Sequence, residues 1–222
     1  MTIQSVINCM SQLSPRTRKK EARPAELLVA ALDAFRERGF AATRMEDIAA
    51  RAGVSKGTIY LYYPSKQAVF EALVRERLLP NLTRIEAALA MTPASAPDRL
   101  RMVLAALTRV ANDPRLLALP KLVLTEAGTF PDLARFYRQE VVARGLRLIT
   151  DILEQGMQDG DFRPLDPQAA ARLFMAPMIL AALWQGAFAS IEDNPLPPAA
   201  LLAQHGEVFL RGIAARPEDM PP

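Results

Sequence analysis

Residues Thr43 to Lys66, TRMEDIAARAGVSKGTIYLYYPSK, leave the backbone little choice. Thr43 and Glu46 have the T-x-x-E spacing of a capping box, in which each side chain satisfies a backbone N–H orphaned at a helix start, so a helix is predicted from Arg44. Ile48, Ala49 and Ala52 give that helix one small apolar face. Gly53 can take the left-handed conformation that ends it, with Val54 turning back toward the core. Ser55 is a good N-cap for a second helix, Lys56-Gly57-Thr58-Ile59-Tyr60-Leu61-Tyr62. Pro64 then disfavours helical backbone at Tyr63. Two helices joined by such a turn make a helix-turn-helix, whose second helix fits the DNA major groove. Two helices also pack this way in proteins that never meet DNA, and the side chains weigh against that reading. Ile59 and Tyr63 can face inward together, which leaves Lys56, Thr58, Tyr60 and Tyr62 to point elsewhere, with no acid in the second helix. Hydroxyls, a lysine and helix N-termini are the groups that hold phosphates.

The charge distribution agrees. Through Phe70 there are eleven Lys or Arg against six Asp or Glu, and the remainder holds sixteen against eighteen. A basic amino-terminal third on a slightly acidic body is the footprint of a nucleic-acid-binding head. Sparse Gly, short β-branched runs and abundant Ala, Leu and Arg make helix the default, so the expected fold class is all-α. Cys9 is the single cysteine, which excludes an internal disulfide and a thiolate metal cluster, and His205 is the single histidine with no partner at ligand spacing. There is no Gly-rich phosphate loop and no paired-carboxylate motif, so neither an enzyme nor a metal or cofactor is expected.

The segment from about Pro24 to Val74 resembles the N-terminal domain of TetR-family transcriptional regulators. The resemblance is carried by Phe35, Gly39, Phe40, Thr43, Ile48, Ala49, Ala52, Gly53-Val54-Ser55, Gly57-Thr58-Ile59-Tyr60, Tyr62-Tyr63 and Ser65-Lys66, in order and in spacing. Gln67 stands where an acid is common and Tyr63 where Phe is common. The resemblance implies an all-helical homodimer that represses transcription from a palindromic operator until a small molecule releases it. It also implies that Thr43, Arg44, Tyr62 and Lys66 hold phosphates. Ser55, Lys56, Gly57, Thr58 and Tyr60 would lie on the groove-facing surface; Leu61 stands at a variable position and cannot hydrogen-bond a base, though its side chain could touch a thymine methyl.

Three regions are expected: a flexible basic arm over 1–22, the helix-turn-helix domain over 23–70, and a helical effector-binding and dimerisation domain over 71–222. Arg16, Arg18, Lys19, Lys20 and Arg23 would let the arm follow DNA. Met1 to Ser14 do not resemble a secretion signal, and the cytoplasm is the expected location. A first helix is predicted from about Pro24 to Arg38, with Gly39 and Phe40 as its C-terminal cap. Pro80 should kink or break a connector helix that starts near Ser65. Short helices are predicted from Arg115 to Leu119 and from Pro120 to Ala127, then long ones from Pro131 to about Gln158 and from about Pro167 to Ser190.

Leu173 to Ala189 offers no polar face, and a helix apolar all round must be buried on all sides. It is near the lower length for a membrane span, yet its partner helix carries Arg135, Arg138, Arg144 and Arg147 and two apolar stripes. A second subunit rather than lipid is therefore the expected cover. The body's candidate effector pocket comprises Glu126, Phe130, Phe136, Tyr137, Met175, Met178 and Trp184, a lining suited to a hydrophobic or aromatic small molecule. The alternatives are an activator or effector-independent regulator, told apart by operator position, and an all-α enzyme on a hydrophobic substrate. The enzyme would need a polar group converging on the pocket, and only Glu126 offers one.

Overall fold

The structure is a computed structural model that describes residues 15–216, with side chains from 24 onward. Cys9, the amino-terminal tail and the side chains of the basic arm lie outside the described residues. The chain divides into two compact units after Ala72.

In the first unit, α1 (Pro15–Ala42) begins earlier than the predicted Pro24, which sits inside it. Gly39, at φ 77, ψ 171, interrupts the helical backbone where the sequence placed a cap. Next come α2 (Met45–Arg51) and α3 (Lys56–Tyr62). Gly53, at φ 67, ends α2 in a Schellman motif: its N–H donates to Ala50 O at 3.1 Å, and Val54 N–H to Ala49 O at 3.0 Å. Helix α4 (Lys66–Leu73) closes the unit. Its core holds Leu27, Leu28, Ala31, Phe35, Phe40, Ile48, Ile59, Val69 and Phe70, all essentially buried. The Phe40 ring lies 5.3 Å from Phe35 and 6.2 Å, edge-on, from Phe70.

The second unit begins with a π-helical turn, Val74–Leu78, followed by α5 (Leu79–Met91). Pro80 does not break the helix as expected. It falls in the first turn of α5, just after the π turn has already released the usual i−4 hydrogen bonding that proline cannot make. Helices α6 (Ala96–Ala111) and α7 (Pro114–Glu126) follow. Helix α7 runs unbroken through Pro120, where two short helices were predicted, because Leu117, Leu119, Leu122 and Val123 keep one buried face across the proline. Helix α8 (Pro131–Tyr137) passes through a second π turn, Arg138–Val142, into α9 (Ala143–Gln158). Helices α10 (Pro167–Ala187) and α11 (Pro198–Ile213) complete the body. Among the described residues, extended pairing is limited to one antiparallel bridge, Phe162 with Ala214.

The second π turn resolves the two apolar stripes. One additional residue in a turn shifts the helical phase by about 100°. Leu133 and Tyr137 before it, and Ile149, Ile152, Leu153 and Gly156 after it, are all buried although no single α-helical stripe joins them. Phe162 packs on Gly156, where a Cβ would meet its ring at 2.3 Å. The core joins Leu100 and Val103 of α6, Ile149, Ile152 and Leu153 of α9, and Phe174 of α10.

Candidate nucleic-acid interface

The start of α2 differs from the expected capping box. Thr43 is 1% exposed, and its hydroxyl donates to the Gly39 carbonyl at 2.7 Å and lies 3.3 Å from the Ala34 carbonyl. The N-cap is Arg44, whose backbone N–H donates to Asp47 Oδ2 at 2.9 Å. Asp47 therefore does what was expected of Glu46, one residue along. Thr43 ties α2 to the end of α1, and its hydroxyl is not offered to a phosphate.

Lys66 is corrected in the same way. Its ammonium donates to the carbonyls of Phe40, Ala41 at 3.1 Å and Thr43 at 2.8 Å, and sits 4.5 Å from the centre of the Phe40 ring. Carbonyls left without helical partners past Gly39 are thus gathered on one cation from α4. Sequence spacing could not show this, because the partners are 23 to 26 residues apart. Arg44 is exposed and forms no ion pair among the described residues. Tyr62 is half-buried.

Ser55 caps α3 as predicted: its Oγ accepts from Thr58 N–H at 3.2 Å and lies 2.9 Å from Thr58 Oγ1. Ile59 and Tyr63 are buried, so Lys56, Gly57, Tyr60 and Leu61 form the exposed face. Lys56 Nζ is 2.6 Å from Glu46 Oε1 on α2. That hydrogen bond holds the Glu46 carboxyl below its usual range and raises the Lys56 ammonium above its own. Sequence reasoning missed this partner because Glu46 was assigned to a cap. Arg38 with Asp47 at 3.2 Å and Arg51 with Glu37 at 2.8 Å add further ion pairs in the head. A short helix capped by serine, backed by a packed core and fronted by a cation, a glycine and two large side chains can enter a major groove.

The body's candidate pocket residues do not converge. Tyr137 and Met178 are buried, and burial pushes the Tyr137 hydroxyl well above its ordinary pKa. Phe136 and Met175 are half-buried, with the Arg75 guanidinium 4.8 Å above the Phe136 ring. Glu126 and Phe130 lie where α7 ends and α8 begins, the Phe130 N–H donating to the Glu126 carbonyl at 2.8 Å. Trp184, expected in an apolar interior, lies instead on the outside of α10, 42% exposed, its indole N–H donating to Glu192 at 2.9 Å. It lines an open cleft of about 230 Å³ with Leu180, Gln185, Glu192, Leu196 and Leu201. Leu173, Ile179, Leu180, Leu183 and Phe188 are exposed beside it, so within one chain α10 is buried on one face only, and its other face is open where a second subunit was the expected cover. By length and composition α10 could cross a membrane, but Ala170, Ala171, Phe174, Met178, Ala181 and Ala182 are buried in the body.

Two family models match this chain. That of the bacterial regulatory proteins of the tetR family matches residues 27–73, and that of the AefR-like transcriptional repressor C-terminal domain matches 98–205. The fatty acid metabolism regulator protein of Bacillus subtilis is 27% identical over 158 residues, 69% of this chain and 79% of that protein. The regulator RutR of Escherichia coli is 46% identical over 63 residues, 28% of this chain and 30% of its own. Among solved structures, the regulator FadR from Bacillus subtilis in complex with stearoyl-CoA superposes with a TM-score of 0.71 at 24% identity, over 85% of this chain and 98% of that one.

Proposed function

Since the chain belongs to the TetR family and is a DNA-binding transcriptional repressor, we propose that two copies bind a palindromic operator in the cytoplasm and that a small molecule with a long apolar part releases them. The observation that carries the operator reading is the exposed face of α3, Lys56, Gly57, Tyr60 and Leu61, held on a head whose core is closed beneath it. One such helix per subunit calls for a two-fold symmetric site.

The apolar outer face of α10 supports the pairing of two copies, because a patch of Leu173, Ile179, Leu180, Leu183 and Phe188 loses most by staying in water. The effector class rests on the fatty-acid regulator and the stearoyl-CoA complex among the similar proteins, and on a body rich in Phe and Met side chains. Release requires that the effector prefer one of two body states.

The test is operator binding titrated with free fatty acids and acyl-CoA thioesters of rising chain length, with an aromatic acid in parallel. One of these should weaken binding by about 5- to 150-fold, the usual span of coupling between sites. Binding that every member of the series leaves unchanged would remove the hydrophobic-effector reading.

A further inference from the structure

We propose that this protein recognises its operator chiefly through thymine methyl groups, with Leu61 as the principal reading residue and Tyr60 beside it. The inference rests on the DNA-binding reading and adds how sequence is told apart.

Ser and Thr hydroxyls can reach a base edge, but bidentate or charged readout relies on Arg, Lys, Asn, Gln, Asp or Glu. Helix α3, KGTIYLY, contains one of these, Lys56, and its ammonium lies 2.6 Å from Glu46 Oε1. The hydroxyls at the start of the helix face each other, Ser55 Oγ to Thr58 Oγ1 at 2.9 Å. Ile59 is in the core, and Gly57 brings no side chain. What remains on the exposed face is Tyr60, 41% exposed, and Leu61, 84% exposed.

Position matters as much as exposure. Two residues along an α-helix turn the side chain by about 200°, so Leu61 points almost opposite to Ile59, the residue that anchors α3 to the core. It is therefore the side chain carried furthest from the head, where a groove floor would meet it. An exposed leucine elsewhere on a surface means little. On a recognition helix it can gain only by covering apolar surface, and the apolar group on the major-groove floor is the thymine C5 methyl.

The experiment starts from duplexes enriched by the full-length protein out of a random-sequence pool. Thymines in the enriched half-site are then replaced one at a time by deoxyuridine, which removes only the methyl. At the position facing Leu61, wild type should lose about fourfold per half-site, equivalent to about 0.8 kcal/mol for one buried methyl-sized group. Leu61→Ala, at so exposed a site, should fold normally and ignore the same replacement. A wild type indifferent to deoxyuridine everywhere, or a Leu61→Ala protein that loses as much as wild type, overturns the inference while leaving the regulator reading standing. If no sequence is enriched, sequence-specific DNA binding itself fails, and the inference fails with it.

Discussion

In the head, polar side chains hold backbone in place: Thr43 and Lys66 spend their donors on carbonyls at the end of α1, Asp47 closes the start of α2, and Ser55 the start of α3. In the body, the long helices α9 and α10 are organised by apolar contact, and α10 keeps Leu173, Ile179, Leu180 and Phe188 outside. Directional hydrogen bonds fix a short helix to one geometry, as reading a groove demands. Non-directional burial tolerates several packings of similar energy, as a site that must respond to a ligand demands. Both π turns are in the body, beside two helix-interior prolines, Pro120 and Pro177, while the head has one, Pro24.

The widest test of this contrast is Phe188→Arg. A charge placed in an apolar contact between copies should weaken the dimer by about 100-fold or more. Because Phe188 is half-exposed in the single chain, the variant should remain folded as a monomer, read by sedimentation beside circular dichroism. A stable dimer would move the interface off this face.

Lys66→Ala comes next. Loss of a cation shared by three carbonyls should destabilise the head by about 2 kcal/mol, since charged hydrogen bonds are worth more than neutral ones and the freed carbonyls lose their donor. Denaturant melts should show the loss, and at temperatures where the head is folded operator affinity should be nearly unchanged. A large loss of affinity with no loss of stability would return Lys66 to phosphate contact.

Gly57→Ala separates folding from reading within one residue. The nearest atom to an added Cβ is Ser55 Oγ at 3.9 Å, so the free protein has room for it. Stability should rise by up to about 1 kcal/mol from helix propensity. DNA affinity should fall by about tenfold, or roughly 1.4 kcal/mol, if the groove wall approaches there. Unchanged affinity would put Gly57 away from the DNA.

The smallest effect belongs to the body. His205 packs against the rings of Phe174 and Phe209, and burial holds its pKa below the ordinary value despite a hydrogen bond to the Phe174 backbone. The unfolded chain therefore takes up this proton first as pH falls. The contribution is complete well above about pH 6.5 and declines as pH drops below it. Melting temperature should fall by about a degree over that window, and a His205→Leu variant should show a flatter profile.

Much of the head could be read from local sequence because its devices act within three to five residues: Ser55 with Thr58, Gly53 with Ala49 and Ala50, Pro64 on Tyr63. The partners of Thr43, Lys66 and Lys56 were missed for one shared reason. Each has a partner from another helix, and linear spacing does not reveal which donor reaches which carbonyl or carboxylate. Trp184 shows the limit in the body, since hydrophobicity says that a side chain avoids water but not whether its own core or another surface covers it.

Sequence by itself determined the helical class, the helix-turn-helix and the family resemblance, because helix periodicity, capping and turn chemistry are properties of neighbouring residues. Tertiary structure decided which polar groups are already engaged. It brought Leu133 and Tyr137 to burial along with Ile149, Ile152 and Leu153 on the far side of the Arg138–Val142 turn, and it left Leu61 outermost on α3. Those outcomes depend on hydrogen bonds and apolar contacts between distant segments, whose energies are set by proximity in space and not by order along the chain.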